Sequence, residues 1–269
     1  MSPLVSKPEI EKGLVMPVIG FSSPDLVKFC PAQYNIRKGC NTVRIGTLFD
    51  FRTIDNEKLR DVDEGRFSYQ IKFPSLTKVS KAWISAFEIE CEGDFQCDSL
   101  VVENGQVFTT GMTIDSSSHN CWVYCISKSS HSAGEISVTH EDQWAISADK
   151  VGEFATYLAN LLWSEVKIGD IPDDIVSRYS LQDIKNRLNL YMDIKEISYV
   201  DRIRTINSEA EFSVKDIESL KANLAFMKPK FFEPENEVRF AFWLTFDGKK
   251  ISIKNNPKFL SLRPVDQFF

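Results

Sequence analysis

FFEPENEVRFAFWLTF, residues 231–246, is the stretch on which a reading of this chain turns. Val238, Phe240, Phe242, Leu244 and Phe246 alternate with Arg239, Ala241, Trp243 and Thr245. That period of two marks a strand with one face on a core. Directly before it stand Glu233, Glu235 and Glu237, separated by Pro234 and Asn236. Carboxylates gathered at the mouth of an apolar strand can do acid–base or cation-stabilising chemistry, because like charge and partial burial drive their pKa values apart. The plainer alternative is a solvated acidic loop entering an edge strand.

Downstream, Asp247-Gly248 reads as a turn that returns Ile251–Lys254 as a hairpin partner. Upstream, Val27–Phe29 makes a brief strand, Asn35–Gly39 a short helix closed by glycine, and Thr42–Leu48 a strand. On that last strand Arg44 stands opposite in face to Val43 and Ile45. Residues 49–65 form a charged loop, and Asp61, Asp63 and Glu64 within it lack the spacing of a calcium loop. From Arg66 to Ser127 the pattern is almost entirely β, with a strand at Trp83–Cys91, a hairpin turn at Glu103–Gln106, and a strand Cys121–Ile126 ending at Ser127. Lys128–Gly134 is a serine-rich loop.

Helices dominate beyond Ile146. Asp149 is placed to cap a helix carrying Val151, Phe154, Leu158 and Leu162. Ser180 with Asp183, and Ser213 with Asp216, are capping signals for helices bearing Ile184, Leu188 and Tyr191, and Ile217, Leu220 and Leu224. Glu196–Arg204 reads as a strand between them. Residues 1–20 form an irregular arm. The expectation is one α+β domain over 1–269, with a mainly antiparallel sheet core and a helical segment between residues 149 and 227.

Composition sets the outer bounds. At 43% hydrophobic and 26% charged the chain is ordinary for a globular protein. A net charge of −6 argues against the whole surface acting as a trap for nucleic acid, although basic residues outnumber acidic ones from Lys221 to Arg263. No apolar run reaches the ~18 residues of a membrane helix, and MSPLVSKPEIEKG lacks a signal-peptide core, so a cytoplasmic protein without membrane partners is expected. His119, Cys121 and Cys125 would share one strand face, but the cysteines fit no paired zinc spacing and no metal is expected.

Four landmarks follow one another along the chain: Val27–Phe29 with TVRIGTLFDFR, the segment RDVDEG, YCIS at 124–127 with DQWAI after it, and KPKFFEPENEVRFAF. This order resembles a group of uncharacterised bacterial proteins found among mobile-element and phage-defence genes. More distantly it is similar to ADP-ribosyltransferase-like toxins. That resemblance implies NAD as substrate, Glu237, Glu235 and Ser127 as catalytic residues, and Arg44, Lys28, Thr47 and Arg52 as contacts to the dinucleotide. Cleavage between nicotinamide and ribose passes through an oxocarbenium-like state that a placed carboxylate stabilises, the role implied for Glu237. Glu235 would orient or deprotonate the acceptor, a protein or a nucleic acid, and Ser127 would support the glutamate. Arg239, on the face of Glu237, could instead pair with it as a purely structural ion pair.

Two other function classes stay open. One is a non-catalytic interaction component of a defence system, such as a sensor or antitoxin, working through a partner protein and an exposed apolar patch. The other is a metal-dependent nuclease, prompted by Glu165-Val166-Lys167 after Asp149, which needs those three side chains together.

Overall fold

The computed structural model describes residues 25–55, 57, 59–87, 95–128, 139–263 and 265–269. In chain order these form strands β1 (Asp25–Cys30), β2 (Thr42–Thr47) and β3 (Arg66–Val79), helix α1 (Lys81–Ala86), and strands β4 (Phe95–Glu103), β5 (Gln106–Ser117), β6 (Trp122–Ser127) and β7 (Asp142–Ser147). Helices α2 (Val151–Ser164), α3 (Asp173–Arg178) and α4 (Leu181–Arg187) follow. Then come β8 (Leu188–Glu196), β9 (Ser198–Tyr199), β10 (Ile203–Ile206), α5 (Val214–Asn223), β11 (Met227–Lys228), β12 (Glu237–Phe246), β13 (Lys249–Ile251) and β14 (Lys258–Ser261). The fold is α+β, with antiparallel pairing predominant. None of the described helices is long and apolar enough to cross a membrane.

The chain packs as two compact units interleaved in sequence. The first takes its described residues from Met1–Val62, His119–Ile197 and Phe232–Phe269, the second from Asp63–Ser118 and Ser198–Phe231. Because each unit is built from separated stretches, no single linker divides them in the sequence.

In the first unit, eight strands among the described residues make one sheet, ordered β13-β12-β6-β1-β7, with β8 on β12, β2 on β6 and β14 on β2. β12 is its centre, pairing with β6, β8 and β13. Every one of its ten residues is buried, so the alternation read from sequence separates two covered faces rather than a core from solvent. It is not an edge strand. Phe154, Ala155, Leu158 and Leu162 of α2 are fully buried against the sheet face that carries Tyr124 and Trp144, with Phe154 edge-on to both rings at 6.1 and 5.8 Å. Burying each of the phenylalanine and leucine side chains contributes about 1.5–3 kcal/mol before entropy is counted.

Three local expectations are corrected here. Lys81–Ala86 is a helix, not the start of a strand, because the Ser80 hydroxyl accepts from the Trp83 amide and caps it. The remainder of the expected Trp83–Cys91 strand, residues 88–91, lies outside the described residues, as does most of the serine-rich loop. Leu188 and Tyr191 belong to β8, not to the α4 helix, which stops at Arg187; the stretch expected as one strand, Glu196–Arg204, holds instead the last residue of β8, the two-residue β9 and the start of β10. Asp149 is not the N-cap of α2: a 3-10 turn, Ala148–Lys150, leads into the helix, and the Ser147 hydroxyl donates to the Asp149 carboxylate.

The second unit carries a sheet ordered β10-β3-β5-β4, with β10 parallel to β3. Tyr69, Trp83, Phe87, Phe212 and Ile217 fill its core. The Trp83 indole donates to the Phe212 carbonyl at 2.6 Å, which satisfies the ring nitrogen inside that core. The β4–β5 turn is Asn104-Gly105, both with positive φ (48° and 71°), the hairpin signature read from the sequence. Ser213 and Asp216 exchange hydrogen bonds as the expected capping box of α5. Ser213→Ala should therefore cost about 1 kcal/mol of second-unit stability, read by urea unfolding followed through Trp83.

Candidate active site

The sheet of the first unit splits at β6. One edge of β6 is fully occupied by β12, in register from Glu237↔Ser127 to Phe242↔Trp122. The other edge is shared. β1 meets it at Val27↔Ser127, while β2 meets it at Gly46↔Val123 and Thr47↔Trp122. Neither ladder spans Tyr124–Ile126. The Lys28 ammonium enters this gap and donates to the Cys125 carbonyl at 2.7 Å, replacing a missing strand.

Strand pleating then decides which expected residues share a face. Glu237 and Ser127 are direct partners, with Val27 on the far side of Ser127 in the same row. Arg44 lies two positions before Gly46, which pairs with Val123, and Val123 lies four positions before Ser127. Arg44, Ser127 and Glu237 thus stand on one face of the sheet. Lys28 and Thr47 do not. Lys28 is on the core face, 4.8 Å over the Tyr124 ring, and Thr47 is fully buried, its hydroxyl bonded to the Asn255 side-chain carbonyl and accepting from the Asp50 amide. Both are engaged in contacts on the face of the sheet opposite to Arg44, Ser127 and Glu237.

Glu237 opens β12 and is 5% exposed. Its Oε1 accepts from Arg239 Nε at 2.7 Å, and Arg239 is wholly buried, so the ion pair weighed against catalysis in the sequence is present. A planar guanidinium beside a buried carboxylate fixes both its charge and its orientation. Ser127, 4% exposed, donates to the Glu235 carbonyl at 2.5 Å. The Lys128 amide donates to the Asn236 carbonyl and the Ile197 amide to that of Glu237, both at 2.9 Å. Asn236 has φ of 47°, a left-handed conformation that its short polar side chain tolerates. Glu235 therefore ends a 3-10 turn (Lys230–Glu235) while Glu237 begins the strand. The two glutamates flank a kink rather than following one strand.

Arg44 forms an ion pair with Asp50, and its side chain remains 44% exposed. Arg52 stacks 3.6 Å over the Phe49 ring in the adjoining turn. Asp50, which orients Arg44, was legible in the sequence only as one charge among many in the loop.

The gap also perturbs titrating groups. Burial lowers the Lys28 pKa from its usual 10.5, opposed in part by Cys125 and by the Glu237 carboxylate. Burial likewise lifts the Cys30 thiol to about 11 and the Tyr124 phenol well above 10. A lysine held below 10.5 in the fold binds fewer protons there than when unfolded, so its contribution to stability rises as pH climbs towards 10.5. Cys30 has the opposite sign, its contribution being lost as pH rises from 9.0 through about 11. Wild type should therefore gain stability relative to Lys28→Met as pH is raised from 7 towards 10.5. Urea midpoints of the two proteins measure it; a constant difference would place the ammonium in water.

Among the described residues no group of three or more histidine, cysteine or acidic side chains lies close enough to hold a metal ion. Asp149 and Glu165 stand just beyond opposite ends of α2, about 24 Å apart at 1.5 Å per residue, so the three residues of the nuclease reading do not meet. Comparisons with protein-family models, curated proteins and solved structures return no match.

Proposed function

We propose that this chain is an NAD-using, ADP-ribosyltransferase-like effector of the bacterial cytoplasm. The observation that carries the reading is the register Glu237↔Ser127 beside the sheet split, with Arg44 on the same face. Arg44 would hold the phosphates of NAD. As the bond from ribose C1′ to nicotinamide breaks, its electron pair neutralises the pyridinium ring, and Glu237 stabilises the positive charge left on the sugar. The acceptor then attacks C1′ and passes its proton to Glu235, which the kink at Asn236 sets apart from the strand. Arg239 keeps Glu237 ionised and aimed. Nicotinamide release by purified protein, with wild type compared with Glu237→Gln, tests the proposal. No turnover and no NAD binding by the wild type would overturn it.

A second reading, an interaction component, is favoured by one observation. Leu100, Val101 and Val102 on β4, which pairs β5 at the end of the second unit's sheet order, are 48, 42 and 66% exposed. Three consecutive exposed apolar residues on a strand that is outermost among the described residues offer an edge for β-pairing with a partner.

A further inference from the structure

β14 places Phe259 directly opposite Arg44 on β2. Cα partners in an antiparallel pair lie about 4.5–5.5 Å apart and project to one side, so both side chains leave the same face of the ribbon, with the guanidinium drawn along β2 over Gly46 to Asp50. Phe259 is 65% exposed and Arg44 44% exposed along its side chain. Elsewhere on β14 the apolar side chain, Leu260, is 1% exposed and belongs to the core. Phe259 is turned outward on the face that Arg44 also occupies. The cation is also preset. A Cβ on Gly46 would come within 3.3 Å of Arg44 Nη1 and 3.6 Å of both the Asp50 carboxylate and the Phe51 ring, so the glycine leaves the space across which the guanidinium lies. Asp50 holds it from the other side.

An exposed flat ring and an oriented guanidinium on one face of the same ribbon match two chemical features in one ligand, an aromatic base and a phosphate. We propose that Arg44 and Phe259 form a nucleotide subsite in which Phe259 stacks on the adenine ring and Arg44 takes the phosphates. This rests on the NAD reading for its substrate, deepening it by assigning the ADP half of the dinucleotide to the β2–β14 ribbon, which the sequence reading did not include. Stacking supplies sequence-tolerant affinity because it needs only the π face, while the arginine fork supplies the charge recognition.

Calorimetric titration with ADP, adenosine and ribose 5-phosphate tests the pairing. ADP should bind more tightly than either fragment. Phe259→Ala should weaken ADP about ten- to a hundredfold, and Phe259→Trp should restore it with quenching of the new indole. Unchanged melting temperatures would show that these exposed substitutions leave the fold intact. ADP binding equal in Phe259→Ala and wild type, or absent from wild type at millimolar concentration, overturns the inference. The outcomes separate from those of the reaction. Phe259-dependent ADP binding without nicotinamide release leaves the subsite and removes the transferase. Nicotinamide release with a KM for NAD unmoved by Phe259→Ala leaves the transferase and removes the subsite.

Discussion

Glu237→Gln should lower nicotinamide release from NAD about a hundred- to a thousandfold. That is the loss seen when a single preset electrostatic stabiliser of a transition state is removed. The amide keeps the size and hydrogen-bonding reach of the carboxylate but not the charge that answers a developing oxocarbenium. The substitution also leaves Arg239, which is wholly buried, without its anion, so stability should fall as well. The assay therefore belongs well below the variant's own melting temperature. Glu237→Asp sharpens it by keeping the charge and withdrawing it by one methylene. If Gln and Asp variants turn over NAD at the wild-type rate, Glu237 and Arg239 are a structural pair and the kink at Asn236 is only a strand entry.

Asp170→Ala should cost about 3–5 kcal/mol of first-unit stability, the range for breaking one side of a buried ion pair. Asp170 is fully buried between α2 and α3, and both carboxylate oxygens accept from Lys258 Nζ at 2.7 Å. Oδ1 also takes the Asn256 amide at 2.7 Å, and Oδ2 the Lys167 backbone amide at 2.8 Å. Lys258 is itself only 7% exposed and lies near the Trp122 ring. Alanine would strand this ammonium and two further donors in the interior. Replacing both partners, Asp170→Ala with Lys258→Met, should recover much of the loss, because removing a buried pair altogether costs far less than halving it. Urea unfolding followed by tryptophan fluorescence reads the effect, four of the five tryptophans lying in the first unit. A cost below about 1 kcal/mol would mean that water reaches Lys258 once the carboxylate is gone.

Legibility in the sequence followed the range of the interactions involved. The caps at Ser180 and Ser213 and the turn at Asn104-Gly105 are set within four residues, and all three stand as read. β8 was misread because Ile184, Leu188 and Tyr191 keep helical spacing through the very residue, Arg187, where α4 gives way to a strand. What overrides that local periodicity is pairing with β12, an interaction more distant than any window can see. At the candidate site, the residue types of Arg44, Ser127 and Glu237 were visible, and so was the possibility of a Glu237–Arg239 pair. Register was not. Only the ladders show that Ser127 faces Glu237 and that Lys28 points to the opposite side, because a slip of one residue exchanges the faces.

The central position of β12 has a consequence for synthesis on the ribosome. Ser127 and Glu235, joined by a hydrogen bond, are 108 positions apart in the chain, and the strand between β6 and β8 is made after both. During elongation β6 and β8 must wait with open apolar edges until β12 emerges, whereas β4 and β5 can zip together as a local hairpin as soon as they appear, with β3 already made to pair β5. The nascent protein thus passes through a period in which its unfinished sheet can be captured by a chaperone or by another chain. A stalled or truncated product ending before β12 would keep those edges for its lifetime.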